Sequence, residues 1–324
     1  MPEDLNFKHF GWRGIWFKIP SDWDMVAEGG TRRNGYLRID DPVRPRLEVK
    51  WEHVDFEKAG TPEKIAENYV ENLRKDFLKR AKKIAKQRKI KVEEVKIPEI
   101  KILSREELKI MDHDAYLMHI RTEEEALFLT WYCEKRELQI SLQLNFKGNE
   151  YAVQKAIFDK VINTAVCHSE DGWSGWSLYG FVVFAPYDVE LIARKMTTGL
   201  SYIVMEADKR KTFYAFAYSS MANVLIGEYY SDLKDWYVKN MVKQALKPIG
   251  RVKMEDFVDG AVLGHEAKIV TASIPSILKS RKYYGKGAVW LCDKSNRVLS
   301  VLVLNKGESA DGLFEKIMSG SRCH

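Results

Sequence analysis

The sequence predicts an α/β chain of the α+β type made of two repeated units, each an antiparallel β-sheet packed with helices. Three observations carry this reading. Two distant stretches share glycine, proline and aspartate in one register. The strand-like runs follow one another in groups, without the βαβ alternation of a doubly wound fold. Each half holds one longer amphipathic helix and closes on a second helical stretch.

The chain repeats itself. "GIWFKIPSDWDM" (14–25) stands beside "GFVVFAPYDVEL" (180–191), so that Gly14, Pro20 and Asp22 meet Gly180, Pro186 and Asp188 at an offset of 166 residues. The same offset places "YLRID" (36–40) on "YIVME" (202–206) and "RLEVKW" (46–51) on "TFYAFA" (212–217). Further along the register changes but the order of features persists. "DHDAYLMHI" (112–120) meets "GHEAKIVTA" (264–272), with His113 opposite His265. "WYCEKRELQISLQLN" (131–145) meets "WLCDKSNRVLSVLVLN" (290–305), with Cys133 opposite Cys292, and "AVCH" meets "SRCH", with Cys167 opposite Cys323. Every cysteine has a counterpart in the other half.

The elements follow in chain order. Strands are expected at about 14–20, 35–40 and 46–53, where Leu47, Val49 and Trp51 alternate with charged residues in the period of a half-buried strand. Thr61 is a good N-cap before Pro62, and Ile65, Tyr69, Leu73, Phe77 and Ala81 recur every fourth residue, forming an apolar stripe. The partner helix of the second unit is expected over 231–247, with Leu233, Trp236, Val238, Met241 and Ala245 inward and Pro248 as its stop. Strands return at about 100–104, 114–121, 126–133 and 138–145, and a closing helix over 149–166 is echoed by 309–319. The unit reads βββ-α-ββββ-α. "HSEDGWSGW", rich in Gly and Ser, is read as a linker with the boundary near residue 170, giving units 1–168 and 169–324.

Composition bounds the function classes. The chain has 324 residues, 45% hydrophobic and 30% charged, enough for two domains with full cores. Its first residues, "MPEDLNFKHFGW", lack the basic and apolar regions of a secretory signal, so a cytoplasmic location is expected. The uncharged stretch 212–227 is too short and polar for a membrane span, and no span is expected. A net charge of +6 is small against 52 basic and 46 acidic residues, so charge alone decides little. Abundant Lys, Arg and Glu with scarce Gln is the bias of heat-adapted proteins.

The pattern resembles the Mog1/PsbP-like domain, here in tandem. The residues that carry the resemblance are Phe17, Pro20, Asp22 and Trp23 at the opening strand end, with Val183, Pro186, Asp188 and Val189 in the second copy. The long amphipathic helix, the turn Gly264-His265-Glu266-Ala267 and the closing "FDKVINTAV" complete it. In the first copy that turn reads Asp112-His113-Asp114-Ala115, without the glycine. The resemblance spans nearly the whole chain and implies binding rather than catalysis, with no shared catalytic residues to carry over.

The candidate chemistry begins with the cysteines. Two Cys and a neighbouring His per unit could hold a metal, but C-x-x-C and H-x-x-x-H spacing is absent, and adjacent residues such as Cys167 and His168 seldom both reach one ion. No metal is therefore expected. Disulfides joining Cys133 to Cys167 and Cys292 to Cys323 would each stabilise by roughly 3–4 kcal/mol, and heat-adapted organisms are the exception to the rarity of cytosolic disulfides. Four buried thiols acting as small hydrophobes are the remaining possibility, and the reading leans towards disulfides.

His113 and His265 precede Asp114 and Glu266, a pairing suited to acid–base work, although a local turn role needs no such chemistry. No G-x-S-x-G elbow, phosphate loop or H-E-x-x-H motif is present, so neither an enzyme nor a cofactor is expected. The stretch "KRAKKIAKQRKIK" (79–91) carries Lys79, Arg80, Lys82, Lys83, Lys86, Arg88, Lys89 and Lys91 and no acid. It could grip a polyanion, or it could be a solvated helix end favoured by the macrodipole. Trp173 and Trp176, with Trp12 and Trp16, could stack on a partner or close a sheet end. The expected function is that of a non-enzymatic adaptor with a protein partner, built as an internal pseudo-dimer. Nucleic-acid binding through 79–91 and a small-molecule enzyme near His113 or His265 are the alternatives.

Overall fold

The computed structural model describes residues 5–197, 199–276 and 282–323. Contacts divide the chain into two compact units, 1–7 with 17–167 and 8–16 with 168–324.

In unit 1 the strands β3 (Asp24–Gly30), β4 (Asn34–Asp40), β5 (Pro45–His53), β6 (Lys101–Ile110), β7 (His113–Arg121), β8 (Glu125–Cys133) and β9 (Leu138–Phe146) form one antiparallel sheet in the order β3-β4-β5-β9-β8-β7-β6. Ahead of them in the chain β1 (Phe7–Trp12) and β2 (Ile15–Pro20) pair as a hairpin, of which 8–16 count with unit 2. One sheet face is the main core: Leu37, Leu47, Val49, Ile140, Leu142, Leu144 and Leu129 are buried there at period two. Helix α2 (Tyr151–Thr164) buries Ile157, Phe158 and Val161, and its Tyr151 ring stacks on His119 of this face. The opposite face carries α1 (Pro62–Arg88).

The capping expectation for α1 holds. Thr61 accepts a hydrogen bond from the Lys64 backbone N–H at 3.2 Å, Pro62 stands in the first turn, and the helix ends with Lys89 in the left-handed region. The helix packs mainly on β7 and β8, where Ala66 and Val70 meet Tyr116, Met118, Ile120 and Phe128.

Unit 2 repeats the plan. The strands β12 (Glu190–Lys195), β13 (Ser201–Ala207), β14 (Thr212–Ser220), β15 (Lys253–Val262), β16 (His265–Ile274), β17 (Tyr283–Cys292) and β18 (Arg297–Lys306) have the order β12-β13-β14-β18-β17-β16-β15. The hairpin β10 (Trp173–Leu178) with β11 (Phe181–Pro186) precedes them, and α5 (Asp311–Gly320) closes the unit. Between β14 and β15 lie the short α3 (Ala222–Val224) and α4 (Leu233–Trp236), which continues as the π-helical stretch Tyr237–Ala245.

Small irregularities repeat as faithfully as the strands. A bulge at Met25/Ala27 recurs at Leu191/Ala193, and one at Ile102/Ser104 recurs at Met254/Asp256. The hairpin turns Arg13-Gly14 and Tyr179-Gly180 both take positive φ at both residues, the conformation of a two-residue turn that twists with its strands.

Four expectations need correction. β1 and β3 escaped the sequence reading, because Gly29 and Gly30 and the charged residues of these strands blur the alternation. The "HSEDGWSGW" stretch is not a plain linker, since it enters β10 at Trp173 and buries Trp176 at 1% exposure. Neither expected disulfide is formed: all four cysteines are thiols, and each pair shares its buried space with histidine nitrogens. The offset of 166 fails on the third strand. Tyr36 pairs with Lys50 while Tyr202 pairs with Ala217, so β14 is shifted by one residue relative to β5, to an offset of 167. With a side-chain period of two, that slip exchanges the faces.

Candidate functional site

The corrected register exposes a difference between the units. On the helix-bearing face of unit 1, β4, β5 and β9 present Arg38, Glu48, Lys50, Ser141, Gln143 and Asn145. The matching positions of unit 2 are Val204, Ala215, Ala217, Ser300, Leu302 and Leu304. In unit 2 this face is buried beneath Trp236, Tyr237, Met241 and Ala245, as one apolar cluster. In unit 1 the helix lies to one side over β7 and β8, and the polar half of the face stays open.

The opening is a groove of about 670 Å³ between α1 and the strands β4, β5 and β9. Its wall from α1 carries Asn68, Tyr69 and Asn72, and its floor carries Tyr36, Glu48, Lys50, Ser141 and Gln143, with Trp51 at one end. Two wall residues are fixed by their neighbours. Tyr69 stacks on Phe128 with ring centroids 3.9 Å apart and donates its hydroxyl to Gln143 Oε1 at 2.6 Å. Burial, with the Glu48 charge nearby, pushes the Tyr69 hydroxyl up to about 12, so it remains a donor at physiological pH. Trp51 donates its indole N–H to the Thr31 carbonyl at 2.9 Å. Asn68, Asn72 and Lys50 are exposed, leaving amides and one ammonium turned to solvent. Alternating Glu48, Lys50 and Glu52 looks in the sequence like the solvated side of a strand, so only the placement of α1 reveals the groove.

The thiols and imidazoles form the other concentrations of reactive side chains. His113 begins β7 and Cys133 ends β8, and Cys167 follows α2 after its extended C-cap Ala165. With His168, bonded to Cys167, they offer ligand atoms all within 4.8 Å of one another, and all four residues are buried. In unit 2, His265, Cys292 and Cys323 converge within the same limit, with Cys323 Sγ 3.3 Å from His265 Nε2. His324, the residue after Cys323, lies outside the described residues. Adjacent residues seldom both reach one ion, yet here Cys167 and His168 are both buried in one cluster.

The acid–base expectation fares differently at its two positions. His113 is buried with the thiols, and Asp114 instead pairs with Lys109. His265 with Glu266 lines a depression of about 690 Å³ beside Asp259 and Lys268, which pair with each other. The thiol nearest His265 is not activated: burial and then Cys292 push Cys323 up to about 11, the opposite of a nucleophilic cysteine.

The basic residues Lys79, Arg80, Lys82, Lys83, Lys86, Arg88, Lys89 and Lys91 are all exposed, with only Ala81 and Ala85 of that stretch turned inward. Of the tryptophans, Trp12 and Trp176 are buried and meet edge to face at 5.1 Å in unit 2, and Lys316 stands 4.4 Å over the Trp173 ring. They close a hairpin core. Among the described residues no helix is long and apolar enough to cross a membrane.

No family model matches the chain, and no curated protein does. Among solved structures the chain is similar to cyanobacterial PsbP from Synechocystis sp. PCC 6803, at 13% identity and a TM-score of 0.36, covering 52% of this chain and 95% of that one. It is also similar to the immunity protein TplEi of the T6SS from Pseudomonas aeruginosa, solved with an "L" peptide, at 10% identity and a TM-score of 0.32, covering 98% and 97%.

Proposed function

We infer that this protein is a non-enzymatic binding protein whose unit 1 groove takes an extended peptide segment of a protein partner. The observation that supports this reading is the contrast between matching faces: covered and apolar in unit 2, open and lined by amides, charges and fixed aromatic rings in unit 1. Asn68 and Asn72 each carry a donor and an acceptor, the complement of a peptide group, and Tyr69 offers an apolar ring for a side chain. A binding role is also what the sequence resemblance to Mog1/PsbP-like domains implies.

The experiment is selection of a displayed peptide library on the purified protein, followed by binding of the enriched peptides to Asn72→Trp, which fills the groove. Expected is an enriched set whose affinity falls at least about tenfold in the variant, a loss of about 1.4 kcal/mol. No enrichment, or peptides that bind the variant equally well, would reject the groove as the site.

A second reading rests on the eight exposed basic side chains at the end of α1 and its continuation. Single-stranded RNA is the probe. Binding that weakens steeply with salt, and weakens less steeply after neutralising Lys82, Lys83, Lys86 and Arg88, supports it. Absence of binding at low salt removes it.

A further inference from the structure

The geometry points to a duplicated metal centre: His113, Cys133, Cys167 and His168 hold one thiophilic divalent cation of the zinc class, and His265, Cys292 and Cys323 contribute to a second.

Ala115 pairs with Trp131 across β7 and β8, and continuing that antiparallel register sets His113 opposite Cys133. Ala267 pairs with Trp290 across β16 and β17, and the same continuation sets His265 opposite Cys292. The remaining thiol in each unit comes from the extended residues after the last helix, Cys167 after α2 and Cys323 after α5. Three chain segments therefore deliver the same ligand types to the same corner of each sheet. The ligands come together through pairing and helix docking, so no short sequence spacing announces them.

The donor set and its dimensions fit the cation. Two thiolates and two imidazoles in a tetrahedron are a zinc-type combination, with metal distances of about 2.3 Å to sulfur and 2.0 Å to nitrogen. Donors at those radii stand roughly 3.3–3.8 Å apart. The 4.8 Å limit on the present separations requires a contraction of at most about 1.5 Å. The contact between Cys323 Sγ and His265 Nε2, at 3.3 Å, already lies within the range.

Burial separates this centre from a surface coincidence. Cys133 and Cys167 are wholly buried, and His113 and His168 are each 6% exposed. A disulfide would use the sulfurs and leave two buried imidazoles with no part in the linkage, whereas a cation uses all four groups. Repetition points the same way. The two units have exchanged Arg38 for Val204, Glu48 for Ala215 and Lys50 for Ala217 on matching strands, yet each keeps one histidine and two cysteines at the same structural positions.

The chemistry of loading balances simply. The divalent cation enters, each ligating thiol loses its proton to solvent, and no electron is transferred. The bound ion ties the segment after the closing helix to the strand pair, and at the first centre the four side chains fill a tetrahedron, the closed arrangement of a structural site.

The test is stripping the full-length protein with a chelator under reducing conditions and titrating it with cobalt(II). Expected are the intense visible bands of tetrahedral, thiolate-bound cobalt, saturating near about two equivalents and displaced by zinc. Cys133→Ser should remove the first site and Cys292→Ser the second. Native mass spectrometry of the unmutated protein supplies a measurement that does not depend on the variants folding, with expected mass gains of one and then two zinc ions. His265→Gln, at a less buried position, should weaken only the second site by at least about tenfold. Weak octahedral cobalt spectra, binding unchanged in the cysteine variants, or disulfides found in the unreduced, chelator-treated chain would each overturn the proposal.

Discussion

The Tyr69 hydroxyl reaches across from α1 to donate to Gln143 Oε1 at 2.6 Å, and the Gln143 amide donates in turn to Asn145 Oδ1 at 2.7 Å. The helix is thus latched to β9 by a polar bond, in a unit whose apolar helix contacts centre on β7 and β8. Tyr69→Phe keeps the stack on Phe128 but strips Gln143 of its donor, and should cost about 1 kcal/mol in urea unfolding. Tyr69→Ala loses the stack as well, and should cost about 3 kcal/mol. Equal costs would mean that the ring contributes nothing and the hydroxyl everything.

Arg46 is buried at 7% exposure and bonds two carboxylates, Asp41 and Glu150, the latter through Nη1 at 2.6 Å. The Arg46 hydrogen bond holds Glu150 below the usual carboxylate range against the opposing effect of burial. For Asp41 burial acts upward, and the bonds from Arg46 and from the Val43 and Arg44 backbone N–H groups outweigh it. Folded values below the unfolded ones mean that this stabilisation is complete above the unfolded carboxylate pKa, about 4, and is lost as pH falls through the folded values. Arg46→Met should therefore cost about 3 kcal/mol at neutral pH and flatten the acid limb of a stability–pH curve. A parallel downward shift at every pH would show that packing of the arginine stem, not the charges, carries the effect.

Tyr237 is fully buried under the unit 2 sheet, and its hydroxyl has no hydrogen-bond partner among the described residues. An unmet hydroxyl in an apolar cluster carries a desolvation penalty. Tyr237→Phe keeps the edge-to-face contact with Phe257 and should stabilise unit 2 by about 1 kcal/mol, read as a higher urea midpoint at unchanged slope. A loss of stability would show that an ordered water satisfies the group.

The strands that could be read from the sequence are those whose inward residues are large and regularly spaced, such as Leu47, Val49 and Trp51 in β5. The N-cap at Thr61 was legible because capping is local chemistry. β3 was not, since its edge position leaves only Met25 buried. The groove and the thiol–imidazole clusters were hidden for one reason: both are made by register. Glu48, Lys50 and Gln143 become a floor only when β5 pairs with β9 beside a displaced helix, and His113 meets Cys133 only through the pairing of β7 with β8.

The one-residue shift between β5 and β14 makes a prediction that separates the two alignments. At an offset of 167, Lys50 of the open groove corresponds to Ala217, which is wholly buried and faces the cluster around Trp236. Lys50 itself is exposed, so Lys50→Ala should change stability by no more than about 0.5 kcal/mol. Ala217→Lys must place an ammonium with a four-carbon stem where a methyl group now sits against Val204, Ala215 and Trp236. Overpacking and an unpaired buried charge act together there, and unit 2 should lose at least about 4 kcal/mol or fail to fold. Hydrogen exchange resolved along the chain reads the two units separately, so the expected result is lost protection in β13, β14 and β18 with β4, β5 and β9 unchanged. Retained protection in unit 2 would mean that the side chain at 217 turns away from the helix face, and that the strand follows the offset of 166 after all.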